Sequence, residues 1–171
     1  MKIRNGFITN SSSTNFIFIF EGSKKENLFN LIRKHNKKFN INWNEYKDGS
    51  YKCNAEDIIN CIGECLDTKA EYDQVKIYDI KEFIKEINDR VNYWREEYRD
   101  MYRENAPEDL LKIKKVTDSK ILDKMDSVLE IQFGDNHGNI SGNRIAIAMD
   151  YEGREIHLID SDLIVLTEQR R

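Results

Sequence analysis

"NFIFIFE", residues 15–21, is the stretch on which the fold turns. It is rich in Phe and Ile, shows no helical period and carries no charge before Glu21, so it predicts a strand buried on at least one face. Gly22 and Ser23 end it. The next clear run of strand patterns comes after residue 127. Residues 128–133 (VLEIQF), 144–151 (RIAIAMDY), 154–160 (REIHLID) and 163–167 (LIVLT) read as strands joined by Gly-containing or Asp-rich turns. Leu129, Ile131 and Phe133 alternate with Glu130 and Gln132, which gives that strand one wet face. The expectation is an α+β fold: an antiparallel sheet made of the N-terminal strand and a C-terminal meander, covered on one face by central helices.

The intervening residues supply those helices. In residues 24–40, Leu28, Phe29 and Ile32 fall at helical spacing, with Ser23 placed as N-cap and Glu26 as its capping-box partner. Residues 41–53, with Asp48-Gly49 in the middle, predict a loop or short hairpin. Asn54 is positioned to cap a helix over 55–66, whose Ile58, Ile59, Ile62 and Leu66 form one apolar face. Over 79–105 the apolar residues Ile80, Ile84, Ile87, Val91, Trp94, Tyr98 and Met101 are spaced alternately by four and three, a heptad seam that predicts one long helix. Three heptads make a marginal dimer, so this seam is expected to pack within its own chain, against 55–66 or 107–125, and a monomer is favoured over a dimer. Pro107 suits the start of a further helix, and 119–126 a short one.

A chain of 171 residues is long enough for one domain with a real core, so residues 1–171 are read as a single domain. Its net charge of −4 is spread over mixed signs, which does not favour nucleic acid or another polyanion as partner. The basic stretch 24–38, with Lys24, Lys25, Arg33, Lys34, Lys37 and Lys38, fits a solvated face better than a phosphate-binding one. The longest apolar run, 16–20, is far too short to cross a bilayer, so no membrane is expected. No export signal is read, because polar residues 10–15 interrupt any signal-peptide core. Cys53, Cys61 and Cys65 are too few and odd in number for a disulfide framework, which points to a cytoplasmic setting.

Candidate chemistry is sparse. FGDNHGN, residues 133–139, places Asp135 and His137 in a Gly-bounded loop, but the partner motifs of a metallophosphoesterase are missing and the spacing does not fit an EF-hand. A polar turn is the plain reading, and a binding or metal loop the sharper one. Cys61 and Cys65 share a helix face, with Cys53 and His35 or His157 as further ligands on paper; without a CxxC pair, buried thiols are the better reading. No metal and no cofactor are expected.

The opening stretch RNGFITNSSSTNF, residues 4–16, holds four consecutive hydroxyl residues between apolar runs. Residues 2–9 and 15–21 predict a hairpin around them, with Ser and Thr bonding backbone groups in the turn. The stretch resembles an amino-terminal peptide of the form Arg-x-Gly-Phe-Val-Ser-Asn-Ser-Ser-Ser-Ser-Ser-Phe that opens many uncharacterised bacteriophage and bacterial proteins. Arg4, Gly6, Phe7, Asn10, Ser11, Ser12, Ser13 and Phe16 match it; Ile8, Thr9, Thr14 and Asn15 depart from it. The resemblance covers about the first sixteen residues and implies a phage or mobile-element context with no particular activity.

Two functions are therefore expected in order. The first is a small cytosolic accessory protein that binds a host or phage protein, with the long charged helix as recognition surface. The second is an enzyme or binding protein for a nucleotide or other phosphorylated ligand, held by Arg4, Ser11, Ser12, Ser13, Asp135 and His137. Whether the Ser-rich turn and the Asp135 loop converge discriminates them.

Overall fold

Every residue from Phe16 to Phe20 is apolar, so both faces of the pleat need cover. The computed structural model describes residues 13–46, 49–67, 74–98, 105–133 and 158–170. Along the chain its elements run β1 (Ser13–Phe20), α1 (Lys25–Lys34), β2 (Ile41–Tyr46), β3 (Gly49–Cys53), α2 (Ala55–Asp67), β4 (Gln74–Asp79), α3 (Ile80–Tyr93), α4 (Glu108–Thr117), β5 (Ser127–Phe133), β6 (Leu158–Ile159) and β7 (Leu163–Arg170). A π turn, Trp94–Tyr98, continues α3, and short 3-10 turns cover Asn36–Phe39 and Lys120–Lys124.

The class is α+β, with a five-stranded antiparallel sheet in the order β4-β5-β1-β7-β6. The central place belongs to β1: Phe18 faces Leu129 on one side and Val165 on the other. The layering differs from expectation. Phe16, Phe18 and Phe20 pack beneath α1 and α2, against Leu28, Ile32, Ile58 and Ile62. Ile17 and Ile19 pack beneath α3 and α4, against Phe83, Ile87, Leu110 and Ile113. Helices thus cover both faces instead of one, because an all-apolar central strand leaves neither side fit for water. Each of these β1 side chains is buried, worth about 1.5–3 kcal/mol apiece.

Local chemistry sets the helix boundaries. Gly22 adopts φ 104°, and a Cβ there would stand 2.5 Å from Asn27 Cγ, so this turn requires glycine. The cap expected from Ser23 and Glu26 falls one residue later, where the Lys24 N–H donates to Asn27 Oδ1 at 3.0 Å. The helix expected over 24–40 stops at Lys34. His35 caps it, and the following 3-10 turn brings Phe39 into the core. Asn54 caps α2 as expected, accepting from the Asp57 N–H at 3.0 Å while Asp57 Oδ2 accepts from the Asn54 N–H at 2.9 Å. Within the expected 41–53 stretch, β2 and β3 pair antiparallel.

The long helix expected over 79–105 is shorter. Asp79 ends β4, a strand the sequence reading did not assign, and accepts from the Lys81 N–H at 2.7 Å to start α3. Residues 80–98 are helical, 99–104 lie outside the described residues, and Asn105 is not helical. The buried stripe is Ile80, Phe83, Ile87 and Val91, with Ile84 and Trp94 only partly covered. Steps of three, four and four follow a straight helix lying on a sheet, whereas the expected seam through Ile84 is the stripe of a supercoil. Of the two neighbours foreseen, α3 meets the 107–125 region through α4, while α2 lies across the sheet. Strands β5 and β7 fall where expected. Residues 2–9 and 144–151 lie outside the described residues, as does most of 154–160.

Candidate functional site

Arg4, Ser11, Ser12, Asp135, His137 and His157 lie outside the described residues. Ser13 opens β1 opposite Arg170, and Thr14 faces Phe133 across the ladder. The strand ends that lead toward the Ser-rich stretch and toward the Asp135 loop are therefore neighbours at one end of the sheet.

The described thiols lie in the core. Cys53, Cys61 and Cys65 are buried. Burial, with Asp57 nearby, pushes the Cys53 thiol up to about 12. Its hydrogen bond with Cys65, and then burial, raise the Cys61 thiol as well. Cys53 and Cys61 are thus disfavoured as thiolates, the form a nucleophile requires.

A polar cluster absent from the sequence expectations joins α1 to the β6–β7 turn. His35 Nε2 lies 2.8 Å from Asp162 Oδ1, His35 Nδ1 lies 3.8 Å from Asp160 Oδ2, and the Lys34 ammonium contacts the other oxygen of Asp162. Burial works against the Asp162 charge, but the hydrogen bonds from Lys34 and His35 outweigh it and hold the carboxyl below the usual range. His35, Asp160 and Asp162 bring donor atoms within 4.8 Å of one another, a set that a divalent cation can use. Lys34 already supplies positive charge at that point. The cluster is thus a clamp between helix and hairpin.

The richer arrangement lies on α3, at the sheet end marked by Thr14 and Phe133. Glu82, Lys85, Glu86, Asp89, Arg90, Tyr93 and Trp94 line a groove of about 610 Å³. Tyr93 is 50% exposed. At the C-terminal end of α3 the backbone loosens into the π turn, where the Trp94 and Tyr98 rings meet at a tilt of 56° with centroids 4.0 Å apart and Tyr93 lies 6.3 Å from Tyr98. Such turns cost hydrogen-bond regularity and occur often at functional positions.

Beneath the groove the core turns polar. The Arg90 guanidinium forks onto both carboxylate oxygens of Glu168, with Nη1 3.3 Å from Oε2 and Nη2 on Oε1. Glu168 is 2% exposed. Burial presses against the Arg90 charge, yet Glu168, with Glu86 and Glu130 farther off, outweighs burial and raises its pKa. Asn15 faces Glu168 in the β1–β7 register and is buried, with neither carboxamide atom hydrogen-bonded. A buried, unpaired amide beside an ion pair is costly, and such costs concentrate where a protein does something besides fold.

Sequence reasoning named the charged helix but neither Arg90 nor Glu168 nor Asn15. The signal available was a polar residue at each end of an otherwise apolar strand, Asn15 before FIFIF and Glu168 after LIVLT. No protein-family model, curated protein or solved structure matches the chain. Among the described residues, no helix is long and apolar enough to cross a membrane.

Proposed function

We propose that the protein is an accessory protein that works by binding a partner protein in the α3 groove, in the phage or mobile-element setting implied by the resemblance of its opening peptide. The observation that carries this reading is the half-exposed Tyr93 beside the tilted Trp94–Tyr98 ring pair, next to the Arg90–Glu168 ion pair. Rigid aromatic anchors ringed by charge are what protein-recognition sites use. Exposed aromatic rings and charged side chains on one helix face suit binding. The adjacency of Thr14 and Phe133 favours the second reading, a phosphorylated ligand held at the sheet end, but it places no phosphate-binding side chain.

A photo-crosslinking residue at position 93 tests the proposal, with position 111 as control, since Leu111 on α4 is also exposed. In cells that make the protein naturally, one defined partner should crosslink from 93 and not from 111. Equal labelling from both positions, or none from 93, would remove the groove as the docking surface.

A further inference from the structure

The charges around the groove are unevenly committed. Its lining holds three carboxylates, Glu82, Glu86 and Asp89, against Lys85 and Arg90. Arg90 is turned inward and taken by Glu168. Lys85 is engaged by Asp89 at 3.2 Å. Glu82 meets Lys76 at 3.1 Å, a bridge between two exposed side chains that a competing cation displaces at little cost. Glu86 has no salt bridge among the described residues. Among the described lining residues acid therefore exceeds base once Arg90 is counted with Glu168, and the adjoining Tyr93 and Trp94 rings attract cations through their quadrupoles.

From this complementarity we infer that the occupant of the groove is a basic peptide segment, one whose arginine or lysine side chains lie over Tyr93 and Trp94 and reach Glu86 and Glu82. The inference rests on the reading of α3 as a docking surface and narrows it. An acidic segment would set its carboxylates against Glu82, Glu86 and Asp89, a like-charge arrangement that interfaces exclude. A purely apolar segment would leave the half-buried Glu86 carboxylate facing a desolvated neighbour without compensation.

Fluorescence anisotropy with three labelled peptides of equal length decides the point, one alternating leucine with arginine, one with glutamate and one with glutamine. The arginine peptide should bind the intact protein, weaken as salt is raised, and lose about tenfold in affinity in Glu86→Lys. Asp89→Lys repeats the test on a more exposed carboxylate in case Glu86→Lys perturbs folding. Glu108→Lys, the same charge change on α4, should leave binding unaltered. Equal loss in Glu108→Lys would show a general field effect and overturn the inference. Glutamate or glutamine peptides that bind as tightly as the arginine peptide, and that lose affinity in Tyr93→Ala, would overturn the basic occupant while keeping the docking surface. If no peptide responds to Tyr93→Ala or to the rim substitutions, both readings fall.

Discussion

The two faces of β1 solve the same problem differently. Under α1 and α2, the phenylalanine face closes over Leu, Ile, Phe and buried thiols, and among the described residues its buried polar groups are hydroxyls such as Thr167. Under α3 and α4, the isoleucine face starts the same way and then runs into Asn15, Glu168 and Arg90. Glu168 is the one buried charged residue among those described. One strand thus serves as pure core on one side, while on the other its end carries a polar arrangement that stability alone would not select. Polar chemistry collects where α3 loosens and the groove opens.

Substitutions can break that contrast, and the largest effect belongs to the apolar side. Phe18→Ala should lower the unfolding free energy by about 3–5 kcal/mol in urea titration, since a dense core cannot close over the lost ring. A cost near that of a surface change would mean the phenylalanine face is poorly packed. On the other face, Arg90→Ala should cost about 3 kcal/mol by leaving Glu168 buried without its guanidinium, and Arg90→Ala combined with Glu168→Leu should recover most of the loss. Additive losses in the double variant would show that the two side chains are not coupled. Asn15→Val should act in the opposite direction and raise stability by about 1–2 kcal/mol, because an unpaired amide is exchanged for an apolar group of strand-forming shape. A drop in stability would show that the amide has a partner.

The smallest expected effect lies in the clamp between α1 and the β6–β7 turn. Because the Asp162 carboxyl is held below its unfolded value, the stability it contributes is present above the ordinary carboxylate range and fades as pH falls through the depressed value. Asp162→Asn should therefore flatten the acid limb of Tm against pH, while Lys34→Ala should flatten it partly. Identical acid limbs in wild type and Asp162→Asn would refute the assignment.

What could be read from the sequence was whatever repeats locally. The β1 run, the caps and stripe of α2, and the alternation in β5 are each decided by neighbours a few positions apart. The second helical layer was also legible in principle, because FIFIF leaves no wet side, yet the alternation of β5 suggested one. Edge strand β4 was hidden because its Val75 and Ile77 alternate too briefly beside the stronger helical signal that follows, and Ile77 is in fact exposed. The α3 stripe was misplaced by one position because Phe83 and Ile84 are adjacent apolar residues, and only the sheet decides which is buried. Arg90 and Glu168 are separated by 78 positions, and no local pattern announces their pairing.

The central position of β1 also has a consequence for how the molecule is made. Its strand partners begin about a hundred residues later in the chain, so during translation the most apolar segment waits through the synthesis of α1 to α4 before either neighbour exists. A short, uncharged, proline-free run of Phe and Ile is in that interval a ready template for pairing with another nascent copy. Folding dominated by such distant pairings is slow. The outcome in the cell is then governed by a race between completion of the chain and self-association, and yield should rise with slower translation initiation or more available chaperone rather than with added stability.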